Sequence, residues 1–209
     1  MTLNRLLRRV RACTLCVPGL PLGARPILQA AASARLLIIG QAPGRKVHET
    51  GVPWDDASGE RLRQWLAMDR ATFYDPERVA IVPMGLCYPG RHPAGGDRPP
   101  RGECAPLWHA PLLEHLCGVE HTLLIGHHAQ RHYLGASRKT TMTETVRSFR
   151  DYGPRFLPLP HPSWRSVPWM RSNPWFEQIV LPELRLIARR AVRPAPAGRE
   201  RGRARPSAF

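Results

Sequence analysis

The run Leu36–Ile39, followed by Gly40-Gln41-Ala42-Pro43-Gly44, restricts the possible fold more than any other stretch of this sequence. Apolar residues in succession, bounded by turn residues, predict a short strand that is buried on both faces. The glycines and the proline then fix a tight turn whose backbone N–H groups can face a ligand. Because ligands of open α/β sheets bind beyond the carboxyl ends of the strands, residues 40–44 are a candidate wall of a site. An ordinary strand-to-loop turn has the same pattern, and the glycine spacing does not match a dinucleotide-binding loop.

Short apolar runs recur along the chain and alternate with segments of helical spacing. The predicted strands are 36–39, 79–82, 122–125 and 155–160. The predicted helices are 2–12, 58–68 with Ser58 as its N-cap, 106–116, 129–134, a short helix near 143–147, and 175–191, where Pro182 either kinks the helix or marks its start. Strands that alternate with helices predict an α/β fold, a three-layer α/β/α sandwich with a mostly parallel, four-stranded central sheet.

Length and composition predict one domain followed by a tail. A chain of 209 residues that is 43% hydrophobic is long enough for one proper core, which we assign to residues 1–191. Residues 192–209 consist mostly of arginine, proline, alanine and glycine, a composition that predicts a disordered tail. Residues 88–103 are predicted to form a long loop, and a loop of that length in a compact domain is usually functional or tied down.

The net charge of +15 favours a polyanionic partner, with nucleic acid as the first candidate. Nearly all of the basic residues are arginines, which a GC-rich genome would also produce. No apolar run approaches the ~20 residues of a membrane-spanning helix. The basic N-terminus is not followed by the apolar region of a signal peptide. We therefore expect a cytoplasmic protein that does not bind membranes, and we expect it to act as a monomer.

Four of the five cysteines form two spaced pairs, Cys13-x2-Cys16 and Cys87-x16-Cys104. In a cytoplasmic chain such cysteines more often bind a metal or act in redox chemistry than form disulfides. Four thiolates can hold either zinc or an iron–sulfur cluster. Cys87 could instead be a buried thiol at the end of a strand. Cys117 is predicted to be a core thiol.

His161-Pro162-Ser163 follows a predicted strand, as Gly40–Gly44 does. If these two strands are neighbours, both loops lie on one rim, where the histidine can donate a hydrogen bond to a developing oxyanion. Trp164 and Arg165 suit base stacking and phosphate contact, and Trp54 can stack on a base. A surface turn histidine and an aromatic residue that fills the core are the simpler interpretations.

Taken in order, these motifs resemble those of the uracil-DNA glycosylase superfamily, above all its iron–sulfur branch, family 4. The first family motif, Gly-Glu-Ala-Pro-Gly, corresponds to Gly40-Gln41-Ala42-Pro43-Gly44. The further correspondences are Gly51-Val52-Pro53-Trp54, Gly59, the cysteines Cys13, Cys16, Cys87 and Cys104, the strand end Ile125-Gly126-His127-His128-Ala129, and the last motif His161-Pro162-Ser163. The resemblance covers roughly residues 1–190.

The resemblance implies an enzyme that flips uracil out of DNA and hydrolyses its N-glycosidic bond in base excision repair. Trp54 would stack on the base, and His161 and Gln41 would stand at the catalytic positions. The remaining residues implied to contact the base or the DNA are Gly40, Ala42, Pro43, Gly44, Ser163 and Arg165, the last motif entering the minor groove. The four paired cysteines would hold a 4Fe-4S cluster, with zinc as the alternative.

Two positions depart from the family pattern. The family glutamate is Gln41, whose amide cannot act as a base or an anion. The family asparagine that reads uracil is Pro83, which has no side-chain donor. His48, Glu49, Asp55 and Asp56 are candidates for the missing carboxylate role, and the sequence does not choose among them.

Three hypotheses follow from the sequence. The first is a DNA glycosylase that acts on uracil or another damaged base. The second is a non-catalytic or covalent damaged-DNA-binding member of the same superfamily. The third is a four-cysteine metal protein that binds RNA or a nucleotide on an α/β sheet.

Overall fold

The computed structural model describes residues 1–193, and in these residues four strands form one parallel sheet in the order β2-β1-β3-β4. The strands are β1 (Leu36–Ile39), β2 (Val79–Ile81), β3 (His121–Ile125) and β4 (Phe156–Leu159). Leu36 lies beside Val79 on one side and His121 on the other, and Thr122 lies beside Phe156. The four predicted strands are confirmed, and every pairing between them is parallel.

Helices connect the strands and flank the sheet. They are α1 (Leu3–Arg11), α2 (Arg45–Thr50), α3 (Ala57–Leu66), α4 (Arg70–Phe73), α5 (Ala110–Glu114), α6 (His127–Leu134), α7 (Met142–Arg147), α8 (Ser166–Ser172) and α9 (Leu181–Ala191). Single π-helical turns, Ala105–His109 and Phe176–Val180, lead into α5 and α9. Pro182 falls in the first turn of α9, where its missing N–H breaks no helical hydrogen bond, so it marks the start of that helix.

The two faces of the sheet bury separate hydrophobic clusters. Leu36 and Ile38 point to one face, which α3, α4, α7 and α9 cover. Leu37 and Ile39 point to the other face, which α1, α5 and α6 cover. Successive residues of a strand point to opposite faces, so a strand that is covered on both sides must be apolar throughout. The predicted three-layer α/β/α sandwich is confirmed.

Local expectations around the first loop need correction. Helix α2 lies in the polar segment after the Gly40–Gly44 turn and was not predicted; Gly51 ends it at φ 74°. Helix α3 begins two residues earlier than an N-cap at Ser58 implies, because its N-cap is Asp56, whose side chain accepts the N–H of Gly59. Helix α8 was not predicted, since Pro168 lies within it.

The end of the chain was predicted to be a disordered tail, 192–209. Residues 194–209 lie outside the described residues, so this expectation and the domain boundary at 191 stay predictions. Among residues 1–193, no helix has the length and apolar character that crossing a bilayer requires.

Candidate active site

A cavity of about 1100 Å³ opens at the carboxyl edge of the sheet. Its wall includes residues that follow each of the four strands: Gly40 after β1, Pro83 after β2, His127 after β3 and His161 after β4. The carboxyl edge of a parallel sheet is where open α/β folds bind their ligands. The cavity is therefore the candidate active site.

The structure brings to this one cavity the residues to which the resemblance assigned catalysis or contact with the base or the DNA. They are Gly40, Gln41, Ala42, Pro43, Gly44, Trp54, His161, Ser163 and Arg165. Their placement at one site is a finding, whereas the role assigned to each stays a prediction.

The two predicted rim loops meet for a different reason than the one anticipated. Strands β1 and β4 are not neighbours, because β3 lies between them. Gly126, at the end of β3, has φ 80°, and a Cβ at this glycine would lie 3.7 Å from the Cβ of His161. Its N–H also donates to the carbonyl of Leu159 at 2.9 Å. All the strands are parallel, so their carboxyl ends share one edge even where the strands do not pair.

An aromatic pair stands in the cavity. The rings of Trp54 and His161 have centroids 5.6 Å apart and planes inclined at 33°. Trp54 has φ 58°, a backbone conformation that bulky residues rarely adopt. Such outliers persist only where the surroundings enforce them, and they cluster at functional sites.

The backbone of Trp54 is held by a cradle of buried contacts. Its carbonyl accepts hydrogen bonds from the hydroxyl of Tyr74 at 3.2 Å and from Nη1 of Arg63 at 3.4 Å. A Cβ at Gly59 would lie 1.7 Å from the same carbonyl oxygen, so only glycine allows this approach. A Cβ at Gly40 would lie 2.7 Å from the Trp54 ring. The resemblance identified both glycines, and the structure supplies the physical reason for them.

Arg63, which is only 4% exposed, is the buried part of this cradle. Its guanidinium pairs with Glu60 at 2.7 Å, donates to Tyr74 at 3.0 Å and lies over the rings of Phe73 and Tyr74. A buried guanidinium with these partners is fixed in place and so fixes the carbonyl that it contacts. Sequence analysis did not identify Arg63, because an arginine on an amphipathic helix normally faces solvent.

Hydrogen bonds also fix the loop that carries His161. Nη1 of Arg61 donates to the carbonyl of Pro162 at 3.1 Å, and the N–H of Ser163 donates to the carbonyl of His161 at 2.8 Å. Burial lowers the pKa of His161, and the charge of Asp56 opposes this only in part. The imidazole is therefore neutral at neutral pH and carries one N–H donor.

One of the four groups considered for the missing carboxylate role lines the cavity. Asp56 does so while one of its oxygens caps α3 by accepting the N–H of Gly59 at 2.8 Å. Glu49 and Asp55 instead form ion pairs with arginines, at 2.9 and 3.1 Å. His48 is buried and is not among the residues that line the cavity. Of the four candidates, only Asp56 therefore has its side chain at the cavity, where it could take over the carboxylate role.

Asp97 is a cavity residue that sequence analysis missed. It lies on a small hairpin, residues 90–98, within the segment predicted as a long loop. The hairpin is closed by Arg98 N–H to Gly90 O and by His92 N–H to Gly96 O, both at 2.8 Å. The two consecutive glycines at 95 and 96, which suit a tight turn, were the only sequence signal for it.

The carboxylates of Asp97 and Asp56 flank Gly44. A Cβ at Gly44 would lie 3.4 Å from Oδ2 of Asp97 and 3.8 Å from Oδ2 of Asp56. Burial raises the pKa of Asp97, and the nearby charge of Asp56 raises it further, whereas Arg91 and Tyr88 oppose the shift. Two neighbouring acidic groups in different environments can take different proton-transfer roles.

Two further histidines follow β3 and line the cavity, His127 and His128, with ring centroids 3.8 Å apart. Burial lowers the pKa of His128 to about 4, so the side chain is neutral at neutral pH. The family pattern leaves these two positions unspecified, and the histidines stood out by no spacing of their own.

Pro83, which replaces the family asparagine, also lines the cavity. Its carbonyl points to Nε2 of the buried His109, 3.1 Å away, and Nδ1 of His109 contacts the Tyr133 hydroxyl. A carbonyl can only accept, so His109 donates from Nε2 and accepts from Tyr133. The polar group of Pro83 is therefore engaged behind the wall and not available to a bound base.

The entrance of the cavity is basic and aromatic. Trp164 is 71% exposed, and the guanidinium of Arg165 lies 5.4 Å from the centre of its ring. A Cβ at Gly96 would lie 3.6 Å from Nη1 of Arg165, so this loop and the hairpin 90–98 approach each other at the entrance. A large exposed aromatic residue beside an arginine suits stacking on bases and contact with phosphates.

The four paired cysteines line a second, small cavity. Cys13, Cys16, Cys87 and Cys104 surround it, with Arg101 as the one charged lining residue. Within residues 1–193, no group of three or more His, Cys, Asp or Glu side chains is arranged to hold a metal ion. Four cysteines around one cavity are a donor set that both thiolate-bound iron–sulfur clusters and structural zinc sites use.

The local environment of these thiols is apolar. Burial raises the pKa of the Cys87 thiol to about 11, and the neighbouring cysteines add to the shift. Cys117 is exposed and stands apart, donating to the carbonyl of Glu114 at 3.1 Å, so its prediction as a core thiol is wrong. It follows the last turn of α5, where a thiol can satisfy a free helix carbonyl at the surface.

Comparison with known protein families gives one match that covers most of the chain. A family model described as the uracil DNA glycosylase superfamily matches residues 28–185. The matched range includes the residues of the cavity wall, from β1 to the end of the His161 loop, and extends into α9.

Proposed function

Because this chain belongs to the uracil DNA glycosylase superfamily, we propose that it excises uracil or another deaminated base from DNA by hydrolysing the N-glycosidic bond. Family membership gives a DNA glycosylase-like function, and the proposal adds the substrate and the reaction. One observation carries it: Trp54 and His161 stand together in a cavity walled by the first and last motifs.

The base binds, in this proposal, after it has been flipped out of the DNA stack. Enzymes that act on a base in DNA extrude it into a pocket and stack it on aromatic or apolar side chains. Trp54 offers such a ring, and its unusual backbone is held in place through its carbonyl by Tyr74 and Arg63. The fixed ring needs no reordering when the base arrives.

His161 stabilises the departing base. When the bond between C1′ and the base nitrogen breaks, its electron pair moves to the base and leaves negative charge on a carbonyl oxygen. The neutral imidazole of His161 donates an N–H to that oxygen, as donors of oxyanion holes do. Preorganised donors of this kind are worth about 3–4 kcal/mol of barrier.

Gln41 and Asp56 act on the other side of the bond. The amide of Gln41 can hold a water molecule, although it cannot take its proton. Asp56 places a negative charge in the cavity, which stabilises the positive charge that develops on the sugar. This assigns the electrostatic part of the missing glutamate's role to Asp56.

The DNA itself is bound by the entrance and by the excess positive charge. In this proposal Trp164 and Arg165 enter the minor groove beside the flipped nucleotide, where apolar wedges unstack neighbouring bases. The net charge of +15 adds contacts to the phosphates that do not depend on sequence.

The two cysteine pairs hold, in this proposal, a 4Fe-4S cluster with a structural role. They join the end of α1 to the segment between Cys87 and Cys104, which carries the hairpin 90–98. Hydrolysis of an N-glycosidic bond needs no redox step, so the contribution of the cysteines is to hold these segments against each other. Zinc is the alternative occupant.

The experiment uses single-stranded and double-stranded oligonucleotides that carry uracil, hypoxanthine or xanthine, followed by alkaline cleavage of abasic sites. We expect strand breaks with at least one lesion, and a rate about 100-fold lower for His161→Ala. Full cleavage by that variant would refute the role of His161.

A second candidate is a non-catalytic protein that recognises damaged DNA. Gln41 and Pro83 favour it, since neither can supply the chemistry of the family residue that it replaces. Tight binding to a lesion-containing oligonucleotide, without cleavage of any of the three bases, would establish this second function. Family membership favours both candidates over a metal protein from outside the superfamily.

A further inference from the structure

We propose that Asp97 is the catalytic base of this protein, taking a proton from the water that attacks the sugar. The proposal rests on the glycosylase function above and adds a residue outside the family motifs. It answers the question that Gln41 raises, namely which group accepts the proton.

The geometry places Asp97 beside the loop that normally carries the family carboxylate. Its Oδ2 lies 3.4 Å from the position of a Cβ at Gly44, and Gly44 and Gln41 belong to the same five-residue turn. Both side chains line the cavity. In this proposal the attacking water lies between the amide of Gln41 and the carboxylate of Asp97.

The hairpin 90–98 gives Asp97 a defined position. Asp97 pairs with Arg91 across the hairpin in an antiparallel β-bridge. A backbone hydrogen bond of 2.8 Å lies on each side of this pair. The hairpin lies between Cys87 and Cys104, which line the second cavity. A catalytic group on a tied segment keeps its geometry better than one on a free loop.

The surroundings of the two carboxylates separate their roles. Asp56 accepts an N–H at the N-terminus of α3, where the helix dipole favours a negative charge. Asp97 lies on an exposed hairpin and faces Asp56, Arg91 and the hydroxyl of Tyr88. Partial desolvation and the charge of Asp56 raise its pKa, whereas Arg91 and Tyr88 lower it, and the net shift is upward. A base that must accept a proton works best when its affinity for that proton is raised toward the working pH.

The step balances as a hydrolysis. The oxygen of water bonds to C1′ of the deoxyribose as the bond from C1′ to the base nitrogen breaks. The electron pair of the broken bond leaves with the base, whose oxyanion receives a hydrogen bond from His161. Asp97 takes the proton of the attacking water and then releases it to solvent, while the base anion takes a proton from solvent. The products are the free base and an abasic site.

The test compares Asp97→Asn, Asp56→Asn and Asp151→Asn in single-turnover cleavage of a lesion that the wild type processes. Asp151 is a surface carboxylate paired with Lys139, and it serves as the matched control. We expect Asp97→Asn to lower the rate by about 100-fold or more, within the range for loss of a general base. Binding of a non-cleavable lesion analogue should stay within about twofold of the wild type, as for a group acting in the chemical step alone.

Two further readouts separate a base from a structural support. Formate added to Asp97→Ala should restore part of the rate, because a small carboxylate can occupy the vacated space. The wild-type rate should fall as Asp97 becomes protonated at acid pH, and this limb should be absent in Asp97→Asn.

Three outcomes would overturn the proposal. One is a rate for Asp97→Asn within about threefold of the wild type, too small for a lost general base. Another is a loss of lesion binding in that variant, which would make Asp97 a structural or binding residue. A third is full loss of cleavage in Asp56→Asn with none in Asp97→Asn, which would assign the base to Asp56. Absence of cleavage by the wild type would instead refute the glycosylase function itself, and this proposal with it.

Discussion

Replacing Gly59 by alanine tests the cradle that holds Trp54. Gly59 lies in the first turn of α3, where alanine would ordinarily stabilise the helix by about 0.5–1 kcal/mol. In this structure the added Cβ would lie 1.7 Å from the carbonyl oxygen of Trp54, whereas real Cβ contacts are essentially never below 3.0 Å. The two must separate by more than 1 Å, so the predicted sign of the effect is the reverse of the helix propensity.

The cost follows from the contacts that such a shift breaks. The Trp54 carbonyl would lose its hydrogen bonds from Tyr74 and Arg63, each worth about 0.5–1.5 kcal/mol. Overpacking of the interface adds about 1–3 kcal/mol. After the gain in helix propensity is subtracted, we expect Gly59→Ala to lower the free energy of unfolding by about 1–5 kcal/mol. Displacement of the Trp54 ring by about 1 Å should also slow cleavage by about 100-fold.

Urea unfolding and single-turnover cleavage measure the two effects. Gly102→Ala is the matched control, because nothing lies within 4 Å of a Cβ at that glycine and its φ is not in the left-handed region. We expect that control to unfold and cleave like the wild type. A Gly59→Ala protein that is as stable as the wild type, or more stable, would show that the contact with Trp54 does not govern this position.

Three further predictions follow from other parts of the chain. The purified protein should be brown and absorb near ~400 nm, as thiolate-bound clusters do. The Cys87→Ser variant should lose this colour and the Cys117→Ser variant should keep it. A colourless protein that contains one zinc ion would refute the cluster. Deleting residues 194–209, which carry four arginines and one glutamate, should weaken binding to any DNA and flatten its salt dependence; a changed base preference would contradict this. Burial lowers the pKa of His109 to about 4 in the folded protein. Between about pH 6.5 and 4 the unfolded chain therefore binds a proton that the folded chain does not, so the free energy of unfolding falls as the pH is lowered, by about 2 kcal/mol at pH 5. His109→Gln should lose this part of the pH dependence in urea unfolding, and an unchanged dependence would refute the assignment.

The sequence by itself determined the local elements and the family. An apolar run such as Leu36–Ile39 is readable because a strand covered on both faces must be apolar throughout. The glycine and proline turn after it is equally local, since its backbone angles restrict the residues that fit. The order of the motifs was enough to indicate the superfamily, which the family match confirms over residues 28–185.

Some local features were missed because tertiary contacts override local preference. Helix α2 is short and lies in a segment that is mostly polar, and short helices are stabilised by packing more than by propensity. The burial of Arg63 likewise depends on Glu60, Tyr74 and the Trp54 carbonyl, and these partners come together only in the folded chain.

Only the tertiary structure decided which groups share the cavity. The Gly40 and His161 loops meet although β3 separates their strands, because a parallel sheet aligns every carboxyl end on one edge. Asp97 faces Asp56 across Gly44, yet no sequence period relates these positions. The same folding takes the imidazole of His161 partly out of water, which lowers its pKa and keeps it neutral. Sequence patterns report the chemistry of residues that are neighbours along the chain, whereas a site is formed by residues that are neighbours in space. The order of the strands and the course of the hairpin 90–98 set the distances between the side chains of this cavity.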